Sequence, residues 1–182
     1  MELSQRFVTG GEAELEEVIH CFGEKLVRYA ASVLFNHQDA EDVVQEVFLY
    51  AYQNRARFNG GNLSAWLYKI TYHDCLDRLK RRKVLFFFDV KDEPAVEMED
   101  TISMHEISEA LKPLSPKDRA LLYGRIVDGQ SYDDLSRIMG ATPAALRKQY
   151  ERAKKKAAKY LDGFCEPGLL DSPCMIKEGS RF

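Results

Sequence analysis

The stretch Ser131–Lys156, SYDDLSRIMGATPAALRKQYERAKKK, constrains this chain most, because its local chemistry spells two helices meeting at a tight corner. Ser131 is suited to N-cap the first helix, and Asp134, three residues on, favours the helix's positive end. Leu135, Ile138 and Met139 form an apolar stripe at helical spacing. Gly140 falls where a left-handed helix end is wanted. Thr142 caps the next helix, and Pro143 takes its first position, where a missing N–H costs nothing. Small Ser136 and Gly140, with apolar Leu146, allow the two helices to cross closely. The second helix then carries Arg147, Lys148, Arg152, Lys154, Lys155, Lys156 and Lys159 against one acid, Glu151. A solvated amphipathic hairpin is the competing reading. Caps, turn and charge placement agree on a helix-turn-helix whose second helix reads DNA.

The overall charge of −3 conceals a partition. Residues 69–83 hold six basic residues against two acids, a balance of +4, and 147–159 hold seven against one, a balance of +6. Between them, residues 89–109 hold eight acids against one lysine, a balance of −7. Two anion-binding surfaces separated by an acidic connector follow from that pattern. No apolar run approaches the roughly 20 residues needed to span a bilayer, so membrane insertion is not expected. The acidic start, MELSQRFVTGGEAELEE, carries no secretory pattern, which predicts a cytoplasmic protein. Cys21, Cys75, Cys165 and Cys174 form no Cys-x-x-Cys pair and lie at no zinc spacing. Cys21 and Cys75 fall on apolar helical faces and are expected to be packed thiols.

The periodicity predicts an all-α chain. Leu15, Val18, Ile19, Phe22, Leu26, Tyr29, Ala30 and Val33 mark a helix from about Glu12 to Leu34. After a break at Asn36–Gln38, Asp39 is expected to cap a second helix, with Val43, Val44, Val47, Phe48 and Ala51 inward and Asp42, Gln45 and Glu46 outward. The loop Asn54–Asn62 leads to a third helix, about Leu63 to Lys83, with Leu67, Ile70, Cys75, Leu76 and Leu79 as its buried set. Val84 to about Met104 loses periodicity and reads as a flexible acidic linker, in which Phe86, Phe87 and Phe88 are expected either to cap the first domain's core or to dock on a partner. Ile107, Ala110 and Leu111 mark a short helix, and Ser115-Pro116 opens another through Leu121, Leu122 and Ile126. The Gly- and Pro-bearing tail from Asp162 to Phe182 reads as disordered.

With those motifs in view, DAEDVVQEVFLYAY (Asp39–Tyr52) and RFNGGNLSAWLYKITYHDCLDRLKRRK (Arg57–Lys83) resemble region 2 of the sigma-70 family, and Ala110–Leu161 resembles region 4. The short linker, with no region 3, resembles the extracytoplasmic-function group of alternative sigma factors. The resemblance implies two small helical domains: a region 2 bundle over 1–84 and a region 4 helix-turn-helix over 106–161, joined by an acidic linker over 85–105 and followed by the tail 162–182. It implies core RNA polymerase (β′ clamp helices and β flap), promoter DNA and an anti-sigma factor as partners, with no cofactor, metal or catalytic residue. Asp39, Asp42, Gln45 and Glu46 would meet the β′ clamp helices. Arg57, Phe58, Asn59, Asn62, Trp66, Lys69, His73, Arg78, Arg81 and Arg82 would form the −10 surface. There Asn59, Asn62 and Trp66 offer polar edges and an aromatic platform to an extruded base, with Tyr68 and Tyr72 interleaved among the cations. Ser131, Tyr132, Thr142, Arg147, Lys148, Gln149, Arg152, Lys155 and Lys156 would form the −35 surface. Arg147, Lys148 and Gln149 would reach base edges, where Arg suits guanine and Gln adenine, with the later cations on phosphate. The family commonly has a basic residue where Gln149 stands and Asn where His73 stands, so both positions are departures.

Two other readings compete: a stand-alone helix-turn-helix regulator, which leaves Asp39–Lys83 unexplained, and a sigma-like protein that titrates another factor. An enzyme is least expected, since His20, His37, His73 and His105 are scattered and no nucleophile set or phosphate-binding glycine loop occurs.

Overall fold

The computed structural model describes residues 3–86, 107 and 109–162, and every regular element among them is helical. In chain order these are α1 (Leu3–Thr9), α2 (Glu12–Leu34), α3 (His37–Gln53), a 3₁₀ turn (Arg55–Arg57), α4 (Leu63–Phe86), α5 (Pro116–Ile126), α6 (Tyr132–Met139) and α7 (Pro143–Asp162). The linker beyond Phe86, the side chains of Phe86–Phe88 and the tail with Cys165 and Cys174 lie outside the described residues.

The expected Glu12–Leu34 helix is present with both ends as read. Its N-terminus is closed by the Gly11 amide donating to Glu14 Oε2 at 2.8 Å. At its other end Phe35 sits at φ 53°, a left-handed conformation unusual for a bulky residue. The Phe35 ring is held by the Arg119 guanidinium from α5, 4.2 Å from its centroid. Asn36, not Asp39, caps α3: its side chain accepts from the Asp39 amide at 2.8 Å, so the helix begins three residues earlier than expected. The short side chain of Asn36, adopting extended backbone, competes better for that role than Asp39, which lies inside the first turn.

Two further expectations are corrected. Cys75 is buried, and burial pushes its thiol up to about 12, but Cys21 is exposed because it stands outside the Val18–Leu26 stripe. Tyr68 and Tyr72 are core residues rather than exposed platforms. They are buried because α4 is covered on two sides, by α2 and α3 and by α6.

That double coverage joins the two halves into one apolar core. Helix α2 packs on α5, and α4 packs on α6. The Tyr29 ring lies edge-on to Tyr68 at 5.0 Å and to Tyr123 at 6.2 Å, tying α2 to both α4 and α5. The Tyr68 hydroxyl donates to Asp128, in the loop between α5 and α6. Gly124 lets that loop and α6 close onto α5, since a Cβ there would stand 2.9 Å from Gln130 Oε1 and 3.2 Å from Leu135 Cδ2.

Candidate nucleic-acid and partner interfaces

The helix-turn-helix is built as its sequence demands. Ser131 Oγ accepts from the Asp134 amide at 3.0 Å and donates to Asp134 Oδ2 at 2.6 Å. Gly140 takes φ 69°, and its amide bonds Ser136 O at 2.9 Å. Thr142 Oγ1 accepts from the Ala145 amide at 3.3 Å, opening α7 at Pro143. Leu121, Leu135 and Leu146 are fully buried and pin α5, α6 and α7 together. Arg147, Lys148, Arg152, Lys155 and Lys156 stand exposed on α7.

Within that cationic face, the Arg147 guanidinium lies 5.1 Å from the Tyr132 ring centroid, and Arg125 covers Tyr132 at 5.0 Å. Tyr150 packs inward, edge-on to Tyr132 at 6.2 Å. Gln149 is half-buried and donates from Nε2 to Asp118 Oδ1 of α5 at 2.8 Å.

Of the residues expected around the −10 element, Phe58, Asn59, Asn62 and Trp66 lie at the start of α4, and Lys69, His73, Arg78, Arg81 and Arg82 follow further along it. Phe58 is buried and its ring centroid lies 5.3 Å from that of the half-buried Trp66. Asn59 Oδ1 accepts from the Gly61 amide at 3.3 Å. Asn62 Oδ1 caps α4 by accepting from the Ala65 amide at 3.1 Å, while Nδ2 donates to Asp134 Oδ1 of α6 at 3.3 Å. Arg57, Lys69, His73 and Arg81 are exposed, and a His73 ring nitrogen lies 2.7 Å from the Lys69 carbonyl oxygen.

Arg78 and Arg82 are placed differently from that cationic set. Arg78 pairs with Asp39 at 3.5 Å and Asp42 at 3.2 Å and donates to the Asp39 carbonyl oxygen at 3.2 Å. Arg82 also pairs with Asp39. Both arginines therefore tie α4 to α3 across a groove of about 310 Å³ that also exposes Glu46, Asp74 and Asp77. Burial, reinforced by Glu46 and Asp77, raises the Asp74 carboxyl above its ordinary value.

The outward face of α3 presents Asp42, Gln45 and Glu46 as expected, whereas Asp39 is turned into the arginine pair. Leu49 and Tyr50 belong to the same outer surface, 58% and 44% exposed, and were missed. The available signal was that both fall off the Val43–Val44–Val47–Phe48–Ala51 stripe while remaining apolar.

The comparisons agree with this organisation. Residues 18–84 match sigma-70 region 2, and residues 104–156 match sigma-70 region 4. The ECF RNA polymerase sigma factor EcfG of Rhodopseudomonas palustris is 31% identical over 145 residues, covering 74% of this chain and 79% of that protein. The ECF RNA polymerase sigma factor SigE of Mycolicibacterium smegmatis is 24% identical over 166 residues, covering 84% of this chain and 65% of SigE. Among solved structures, the sigma factor RpoE of Bartonella quintana, in complex with the anti-sigma factor NepR, superposes with a TM-score of 0.69. It is 23% identical, with 81% of this chain and 96% of that one covered. The chain belongs to the sigma-70 family, with region 2 in its first half and region 4 in its second. Within that family it falls in the extracytoplasmic-function group of alternative sigma factors, which direct promoter-specific transcription.

Proposed function

We propose that this sigma factor joins core RNA polymerase through the outer face of α3, opens the −10 element with the Phe58–Trp66 segment, and reads the −35 element with α7. The observation that carries this reading is the coexistence of three chemically distinct surfaces on one chain. One is cationic and helical (Arg147, Lys148, Arg152) and one aromatic and cationic, formed by the 3₁₀ turn and the first turns of α4 (Arg57, Trp66, Lys69); the third, Asp42, Glu46, Leu49 and Tyr50, is acidic and apolar and would repel DNA. A stand-alone DNA-binding regulator has no use for the third, whereas a subunit that must dock on another protein does. An anti-sigma partner belongs to the same proposal, since the solved RpoE relative is held by one.

The two DNA-facing regions also bear on each other. One amide proton of Asn62, at the loop expected to receive an extruded base, is committed to Asp134 of α6. Presenting that proton to a base would require the Asn62–Asp134 hydrogen bond to open. Run-off transcription with purified core polymerase on a promoter library tests the proposal. The expected result is a small set of templates sharing paired −35 and −10 sequences. Transcripts no more template-selective than those of core alone would overturn it.

A further inference from the structure

Gln149 stands where base-edge contacts are made, and a glutamine reads adenine by presenting its carbonyl and amino groups together. The helical geometry argues otherwise. Leu146, Gln149, Ala153 and Ala157 recur at steps of three and four, so Gln149 belongs to the seam facing α5, while Arg147, Lys148, Glu151 and Arg152 share the outer face. Its Nε2 is held 2.8 Å from Asp118 Oδ1. Asp118 is itself fixed, because Oδ2 accepts from the Ser115 hydroxyl at 2.7 Å while its amide donates to that hydroxyl at 3.2 Å. Both oxygens of this first-turn carboxylate are thus occupied, one by its own helix cap and one by the recognition helix. A bidentate contact to a base would require Gln149 to give up this charge-assisted bond.

We propose that Gln149 is a positioning residue: through Asp118 it sets the rotation and tilt at which α7 presents Arg147 and Lys148 to the −35 element, and it reads no base itself. This rests on the proposed −35 role of region 4. It also gives the departure from a basic residue at this position a physical meaning, since a neutral amide can share the Asp118 carboxylate with Ser115 while leaving the outer cationic face to its neighbours.

The test is a double-mutant cycle in reconstituted holoenzyme, using a promoter library randomised in the −35 hexamer and the wild-type, Gln149→Ala, Gln149→Glu, Asp118→Asn and Gln149→Glu/Asp118→Asn proteins. Gln149→Ala is expected to select the same hexamer as wild type, with affinity lowered evenly across its positions and the salt slope unchanged. Gln149→Glu opposes two carboxylates and should bind more weakly still. In the Asp118→Asn background the new amide on α5 can donate to the new carboxylate on α7, so Gln149→Glu should cost little there. The coupling should reach at least about threefold in affinity. The same coupling should appear in thermal melting of the full chain, which also confirms folding. Loss of preference at one −35 position in Gln149→Ala, or an equal cost of Gln149→Glu in both backgrounds, would overturn the inference. If wild-type holoenzyme enriches no −35 sequence, the −35 role itself falls and takes the inference with it, an outcome visible without any variant.

Discussion

Replacing Arg78 by Ala separates two roles that its sequence position leaves together, phosphate contact and structural tie. In the structure Arg78 bridges Asp39 and Asp42, with side-chain exposures of 28% for Arg78, 16% for Asp39 and 51% for Asp42. The Asp42 pair is half in water and is worth about 0.2–1 kcal/mol. The Asp39 contacts are better shielded, but Arg82 keeps that carboxylate paired, so their loss should cost about 1 kcal/mol rather than the full penalty of a stranded charge. The total expected is about 1–2 kcal/mol, or a melting temperature lower by about 2–8 °C for a chain of this size. Lys69→Ala, an exposed cation on the same helix, is the control and should stay within about 0.5 kcal/mol of wild type. Urea and thermal unfolding at low and high salt measure both, and high salt should remove the Asp42 share while leaving part of the Asp39 share. If Arg78→Ala costs no more than Lys69→Ala, the network does not hold α4 to α3 and the reasoning fails.

Three further outcomes follow from the same geometry. Glu46→Lys should weaken binding to core polymerase in a pull-down with little change in melting, whereas Asp42→Lys should lose both, because Asp42 also pairs with Arg78; unaffected capture by both would remove α3 as the docking face. Arg147→Ala should cost about 1–3 kcal/mol and relax preference at one −35 position, while Lys155→Ala should weaken all sequences alike and lower the salt slope by about one; an even loss for Arg147→Ala would contradict this division. Burial holds the Asp128 carboxyl up at about 6, outweighing the Tyr68 hydrogen bond and the charges of Arg28 and Lys25 that favour ionisation. A raised carboxyl means that the folded protein binds the proton more tightly, so this group's contribution is present at acid pH and is lost as pH rises from about 4 through about 6. Asp128→Asn keeps an oxygen for the Tyr68 hydroxyl and should gain in melting temperature relative to wild type between pH 4.5 and 7; a constant difference across that range would refute the assignment.

What the sequence made legible was local. The Glu12–Leu34 helix and the Ser131, Gly140, Thr142 and Pro143 corner could be read because each residue acts on neighbours within four positions. Helix α1 was missed because seven residues carry too short a pattern, and its anchors, buried Phe7 and the 2.6 Å Arg6–Glu17 pair, are tertiary. Charge counting found the cationic run on α4 but not that Arg78 and Arg82 are held by acids about forty residues earlier. Tyr68 and Tyr72 looked available for stacking because one-faced amphipathicity was assumed, whereas α4 is covered on two sides. The contact between the two halves, Tyr29 with Tyr123, Phe35 with Arg119 and Asn62 with Asp134, has no periodicity to betray it.

Promoter opening tests the central claim most directly. Holoenzyme carrying Trp66→Ala with Asn62→Ala should still bind the −35 duplex, because neither side chain lies on α7. On a linear template it should lose permanganate reactivity at thymines near −10, since stacking of one extruded base is worth about 1–3 kcal/mol, and a pre-melted bubble template should restore transcription. Normal permanganate reactivity in a folded double variant would contradict the account.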